Sequence, residues 1–300
     1  MRLNLKSDQE YFMLPNVIHS GELSRMYHDG PDAFHRHITT THEMVLGHVL
    51  EWYWEEYIAC ANNNFTENCI VIETDSNAPK DFFDLIGADD FDEAVDALNR
   101  KRLKADGTPN LKNVSFYEWV DGYRECPGKF PINLPTWYMI KKQSESASTI
   151  PVANTTLGEL AKHCEYQVPF QVDDRVCLVD MLYIGENTVY SWDFKQIKNF
   201  SAINGQANAR WWIQGEHYTS ILKGTYPDKD VKQMDFIVCS KSDADDFLAK
   251  RVIVESNEYT KGAYLDLVQE TKEWINKGKP KAGHALIEIV RPFIKQRLTT

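Results

Sequence analysis

No stretch of this sequence comes near the roughly 18 apolar residues that a membrane-crossing helix needs, so no transmembrane helix is expected. The first 30 residues hold no continuous apolar core of the kind a secretory signal carries, so an intracellular, cytoplasmic location is expected. Positive charge is in deficit: 33 Lys and Arg stand against 44 Asp and Glu, a formal net charge of −11. That excludes a surface that is basic all over. It leaves room for a local basic lining, or for carboxylates neutralised by metal ions, within an acidic exterior. The six cysteines, at 60, 69, 126, 164, 177 and 239, include no pair separated by two residues, so neither a zinc site nor a dithiol redox motif of that spacing is expected. In a reducing compartment they read as small buried hydrophobes. No GxxxxGKS/T phosphate loop is present, which excludes a fused nucleotide-driven motor, and no internal repeat or low-complexity tract is visible.

What is present is an ordinary globular composition, 43% hydrophobic and 26% charged. A chain of 300 residues can bury one sizeable core, and a single domain over 1–300 is expected. Residues 1–40 are turn-rich. A core helix is expected over 41–58, with Thr39, Thr40 and Thr41 as candidate caps and Met44, Leu46, Val49, Leu50 and Tyr53 on its apolar face. Residues 60–150 read as an insertion or accessory layer, with a short strand at 68–73, a helix at 90–103, and breaks at Pro127, Pro131 and Pro135. The pattern sharpens over 155–240. A short helix at 156–163 precedes strands at 165–172, 175–184 and 188–196, separated by Asp173-Asp174 and by Gly185-Glu186-Asn187. A helix at 202–222, ended by Gly224 and Pro227, and a strand at 234–240 follow. A strand at 251–255 and helices at 259–277 and 282–297 complete a C-terminal part, 241–300. The order α-β-β-β-α-β predicts an α/β (α+β) fold, a mixed central sheet flanked by helices.

Acids fall on each of the three strands: Glu165 opens the first, Asp180 lies in the second, and Asp193 lies near the end of the third. Side chains alternate along a strand, so Asp193 and Lys195 point the same way. A hairpin of the second and third strands would set Asp180 beside Asp193. Two converging carboxylates repel, and a hard divalent cation such as Mg²⁺ or Mn²⁺ resolves the repulsion. An adjacent ammonium can orient a water and stabilise developing charge. The acid-x-Lys triplet itself is cheap: it recurs at 230–232, in a polar loop, and at 270–272, on an amphipathic helix. Only the first lies in an apolar strand that follows another acid-bearing strand. In the helix after that strand, Gln214 and Tyr218 share a face at i and i+4, and no other QxxxY occurs.

Taken in order, Glu165, Asp180, Asp193-x-Lys195 and Gln214-x-x-x-Tyr218 resemble the PD-(D/E)XK nuclease superfamily. More narrowly they resemble its RecB-like branch with the QxxxY motif, which includes RecE-like phage exonucleases and Cas4-like nucleases. The resemblance spans about 155–240 and implies a restriction-endonuclease-like core. It implies Asp180, Asp193 and the Phe194 main-chain carbonyl as metal ligands, with Lys195 orienting the attacking water. Glu165 would be a further catalytic acid, holding a second metal or its water. Gln214 and Tyr218 would contact the DNA backbone or brace the site, with Lys198 and Arg210 as further DNA-binding candidates. The branch also carries an upstream helix with a Gly and a metal-ligating His. Here Gly47 and His48 are adjacent and Glu51 lies one turn past Gly47, so this helix supplies His48, Glu51 or neither.

Cas4-like members hold an iron–sulfur cluster with three cysteines beyond QxxxY. Only Cys239 follows Tyr218, so no cluster is expected. The implied activity is Mg²⁺-dependent (or Mn²⁺-dependent) hydrolysis of DNA phosphodiesters by an exonuclease of phage type, acting in recombination or processing in the host cytoplasm. The implied partners are DNA, a single-strand annealing protein and further copies of this chain. Two alternatives stay open: a restriction-type or structure-specific endonuclease, and an inactive DNA-binding or interaction module. The neighbouring tryptophans, Trp192, Trp211 and Trp212, read more readily as core than as base-stacking platforms.

Overall fold

The computed structural model describes residues 1–4, 10–11, 14–29, 42–79, 82–86, 90–102, 104–108 and 114–278. The chain forms two compact units, Met1–Thr39 with His163–Thr300, and Thr40–Lys162. Where the sequence reading drew one domain, the chain packs as two units, and the expected 41–58 helix and the 60–150 stretch both fall in the second. The helix expected at 282–297 lies outside the described residues. Among the described residues no helix is long and apolar enough to cross a membrane.

Helix α1 (Ser20–Asp29) belongs to the first unit. The second unit opens with α2 (His42–Tyr53), which passes into a π-helical turn at Trp54–Ile58. Then come α3 (Asn64–Asn68), β1 (Cys69–Ile72), α4 (Phe82–Leu85), α5 (Phe91–Arg102) and α6 (Val114–Glu125). β2 (Phe130–Asn133), α7 (Leu134–Ser148), the short strands β3 (Pro151–Val152) and β4 (Thr155–Thr156), and α8 (Leu157–Ala161) complete it. β1 and β2 pair in parallel, and the helices between them close a core that includes Phe82, Phe116, Trp119 and Val120. Gly122 lets α6 approach β1, because a Cβ there would stand 2.9 Å from Ile72.

The three prolines expected to break this segment take part in its elements instead. Pro127 lies in the turn after α6, next to Gly128 at φ 91°; Pro131 sits in β2 opposite Ile70; and Pro135 falls in the first turn of α7, where a missing N–H costs nothing. Asn133 caps α7 by accepting from Thr136 N at 3.0 Å. The expected helix at 156–163 is α8, and it falls in the second unit, so the first unit carries β-β-β-α-β of the expected order.

The first unit is built on a six-stranded mixed sheet with helices packed on it. Its strands are β5 (Glu165–Val172), β6 (Arg175–Ile184), β7 (Thr188–Ile197), β8 (Asp230–Val231), β9 (Asp235–Ser240) and β10 (Ala249–Ile253). The spatial order is β10-β9-β7-β6-β5, with β8 also on β7. β5–β6, β6–β7 and β9–β10 are antiparallel and β7–β9 is parallel. The helix expected at 202–222 is segmented into a 3₁₀ turn at Phe200–Ala202, α9 (Ile203–Gln206), a π-helical turn at Ala207–Trp211 and α10 (Trp212–Thr225). α10 lays Tyr218, Ile221 and Leu222 on the sheet against Val179, Leu182 and Phe236. Each such fully buried apolar side chain contributes about 1.5–3 kcal/mol. Its outer side packs Trp212 and Ile213 against α1 and against α11 (Glu258–Asn276).

Candidate active site

The site lies where β6 and β7 part. Their register runs from Ile184↔Val189 to Met181↔Trp192. Asp180 and Asp193 are the positions just past the last pair of that register, and both charges act on the Tyr218 phenol. Beyond this point β7 continues with β9, from Asp193↔Phe236 to Ile197↔Ser240. β6 continues with β5 on one flank and with the N-terminal segment on the other, through the Ile18↔Arg175 bridge. On the β5 side the register passes from Tyr166↔Met181 to Val168↔Val179, and Gln167 between them has φ 50°, in the left-handed region. By the same count Gln167 faces Asp180. A non-glycine residue there costs about 1–3 kcal/mol and persists only where its surroundings hold it, commonly at functional sites.

Asp193 is almost fully buried, its side chain 3% exposed. A carboxylate taken out of water needs partners. Lys195, two residues on and on the same face, forms an ion pair with Oδ2, and the Gln214 side-chain amide donates to Oδ1. The Lys195 ammonium also lies 6.0 Å from the centre of the Phe236 ring. Tyr218, one turn after Gln214 and 7% exposed, turns its phenol toward both acids. Burial holds that phenol well above its ordinary pKa, and the charges of Asp180 and Asp193, with Tyr11 and Cys177, push it the same way.

Each residue of Gln214-Gly215-Glu216-His217-Tyr218 anchors α10 to a different neighbour. A Cβ on Gly215 would stand 3.1 Å from the Gln233 side chain. Glu216 accepts from the Thr260 hydroxyl at 2.6 Å. His217 lies 2.8 Å from the Val176 carbonyl through Nε2 and 3.1 Å from the Tyr264 hydroxyl through Nδ1. A carbonyl only accepts, so Nε2 carries the hydrogen and Nδ1 accepts from Tyr264. Burial lowers the His217 pKa to about 4; the Val176 bond pulls it up, and Arg175 and His19 push it down further.

The structure therefore gathers Asp180, Asp193, Lys195, Gln214 and Tyr218. Phe194 lies between the site residues with its own side chain buried on the other face of the strand. Glu165 is engaged elsewhere: it accepts an ion pair from Arg2 at 2.5 Å. Its charge acts on Tyr226, which ends α10 about 12 Å beyond Tyr218 at 1.5 Å per residue. The structure places Glu165 at the start of β5 in an exposed ion pair with Arg2. His48 and Glu51 lie on α2 in the second unit, 3.5 Å from each other. Lys198 and Arg210 are exposed, Lys198 just past β7 and Arg210 in the π-helical turn. The three tryptophans are buried: Trp192 stacks on Tyr190 at 5.7 Å, Trp211 on Phe236 at 5.4 Å, and Trp212 meets Tyr27 edge-on at 5.4 Å.

Among the described residues no group of three or more His, Cys, Asp and Glu side chains is gathered as a metal cluster. The chemistry of the two-acid donor set nonetheless fits Mg²⁺. That ion commonly takes one or two carboxylates and fills its other positions with water and substrate oxygens.

No family model matches the chain. No curated protein matches it. A solved structure of a putative exonuclease from Eubacterium rectale aligns over 93% of this chain and 88% of its own, at 10% identity and a TM-score of 0.38.

Proposed function

We propose that this chain is a metal-dependent DNA exonuclease of the PD-(D/E)XK type with a QxxxY helix, hydrolysing phosphodiester bonds in DNA recombination or processing. One observation carries the reading. Two carboxylates lie just past the last β6–β7 pair, both acting on the Tyr218 phenol, and one of them is held by both the motif lysine and the motif glutamine. Asp180 and Asp193 would hold Mg²⁺ or Mn²⁺, with the Phe194 carbonyl as a further oxygen donor. When bound, such a cation supplies Lewis-acid charge against the phosphate.

This chain's own groups do the rest. Lys195 is 28% exposed, so its ammonium reaches solvent while its ion pair fixes its position. It orients the attacking water and offsets charge building on the phosphate oxygens. Gln214 holds the Asp193 carboxylate in one rotamer. Tyr218 stays protonated at neutral pH and braces the pair as a neutral group. In the reaction the water oxygen bonds to phosphorus and the bond to the leaving sugar oxygen breaks. Glu165 pairs with Arg2 and is given no step in this scheme.

Purified protein with linear duplex DNA and Mg²⁺ is expected to release nucleotides, and the Asp193→Ala variant is not. Equal release by both would overturn the assignment. Covalently closed circular DNA should stay intact, since cutting it would make the protein an endonuclease. Calorimetric titration with Mn²⁺ separates an active site from an inert DNA-binding module, which would bind none.

A further inference from the structure

We propose that Tyr11 is a positioning residue of this site: its hydroxyl stands in for β7 along the flank of β6 that β7 leaves, and holds β6 in place at Leu178, two residues before Asp180. The inference rests on the nuclease reading above.

A strand whose neighbour turns away exposes N–H groups that need acceptors. On β6 these are alternate residues, because successive N–H groups point to opposite flanks. β5 fills one flank, through Val172↔Arg175 and the pairs that follow. On the other, Val176 N donates to Ile18 O at 3.0 Å, and Leu178 N donates to the Tyr11 hydroxyl. Asp180 is the next residue in this series. The N-terminal segment thus replaces β7 at 176 and 178, and the series reaches the carboxylate where β7 is about to rejoin.

Tyr11 is built into this place. It is 4% exposed, packs with Val17 and Val176, and meets the His19 ring edge-on at 4.7 Å. Its phenol lies within the field of Asp180, and the Tyr218 phenol lies within the field of both Tyr11 and Asp180. Two buried phenols, one from α10 and one from the N-terminal segment, thus lie within the field of Asp180. Tyr218 belongs to a motif; Tyr11 belongs to none.

The test uses the full chain with two substitutions. Tyr11→Phe keeps the ring and removes the acceptor for Leu178. Val17→Ala loosens the same packing and leaves the acceptor in place. Tyr11→Phe is expected to lower kcat on linear duplex DNA and Mn²⁺ affinity by calorimetry, each about five- to tenfold, the equivalent of one hydrogen bond. KM for DNA should stay unchanged. Val17→Ala should lower the melting temperature yet keep kcat and Mn²⁺ affinity at wild-type values. Wild-type kcat and Mn²⁺ affinity in Tyr11→Phe overturn the positioning role, and so do losses in both variants that track their melting temperatures. A wild-type chain that neither binds Mn²⁺ nor degrades DNA sinks the nuclease reading, and the positioning role falls with it.

Discussion

Asp193 and Asp235 make a natural pair for comparison. They lie on neighbouring strands, one on each face of the same sheet, since Asp193 stands opposite Phe236 and Asp235 opposite Trp192. Their side chains are 3% and 5% exposed, and each is paired with one cation of nearly equal exposure, Lys195 at 28% and Arg251 at 29%. By burial and pairing they are alike. The difference is what else converges. Arg251 reaches Asp235 across the β9–β10 ladder, at 2.7 Å through Nε and 2.6 Å through Nη2. Asp193 has an amide from α10 and a cation on its own strand, and it shares with the Asp180 carboxylate the field acting on the Tyr218 phenol. A buried ion pair is weak evidence of a site. Like charges brought together where a ladder opens are better evidence, because folding alone gains nothing from their repulsion.

Removing each acid should separate the two regions most sharply. Asp193→Asn is expected to cut nuclease activity on the order of a thousandfold or more, with thermal stability nearly unchanged, since it keeps a partner for Gln214 and relieves the repulsion from Asp180. Asp235→Ala should do the reverse. Burial holds the Asp235 carboxyl above the usual range even beside Arg251, so the pair has not recovered its desolvation cost. Arg251 is exposed enough to turn to water, and the loss in stability should be roughly 1–3 kcal/mol, with activity per folded molecule retained. Denaturation and nuclease assays on both variants check this. A large loss of activity in Asp235→Ala would mean the two pairs are not different in kind.

That contrast was only half legible in the sequence. The strands from 165 to 197 could be read because alternation and the Asp173-Asp174 and Gly185-Glu186-Asn187 turns are local signals, and Asp193-x-Lys195 is read by counting along one strand. Gln214 was legible as a motif residue that contacts DNA or braces the site, but not as a donor to Asp193. What could not be read depends on partners far away in the chain. Arg2 pairs with Glu165, Arg251 with Asp235, and Tyr11 with the backbone of Leu178. In the second unit, α6, β2 and α7 were hidden by Pro127, Pro131 and Pro135. Those residues read as breaks when taken singly and as a turn, a strand pair and a helix start once their neighbours are known.

The region around Asp193 also depends on a titratable anchor that lies on its side of the sheet, in α10. His217 ties α10 to β6 at Val176, and its pKa is lowered from 6.5 to about 4. A folded-state value below the unfolded one means the unfolded chain takes up the proton first as pH falls. The stabilisation is therefore complete above about pH 6.5 and is lost progressively toward pH 4. Between pH 7 and pH 5 the loss should be about 2 kcal/mol. His217→Gln keeps an N–H for the Val176 carbonyl and cannot titrate in this range, so chemical denaturation of that variant should show a correspondingly flatter slope. Equal slopes in the two proteins would discard His217 as the source.

The smallest effect expected comes from exchanging the cations. Lysine is a compact point charge, and arginine is a planar fork with several fixed donors. At Asp235 the guanidinium places two of its nitrogens on one oxygen, a geometry that an ammonium replaces with a single contact, so Arg251→Lys should cost under about 1 kcal/mol and leave activity alone. On the proposed nuclease reading, the ammonium at Asp193 holds the carboxylate and also presents a proton toward the substrate. A guanidinium spreads the charge over a planar fork and cannot place it at the single point the ammonium holds beside Asp193. Lys195→Arg should therefore lower kcat about tenfold with KM for DNA little changed, although the charge is conserved. If the arginine variant keeps wild-type kcat, Lys195 serves as Arg251 does, as a counter-ion, and the distinction between the two faces of the sheet would rest on Asp180, Gln214 and Tyr218.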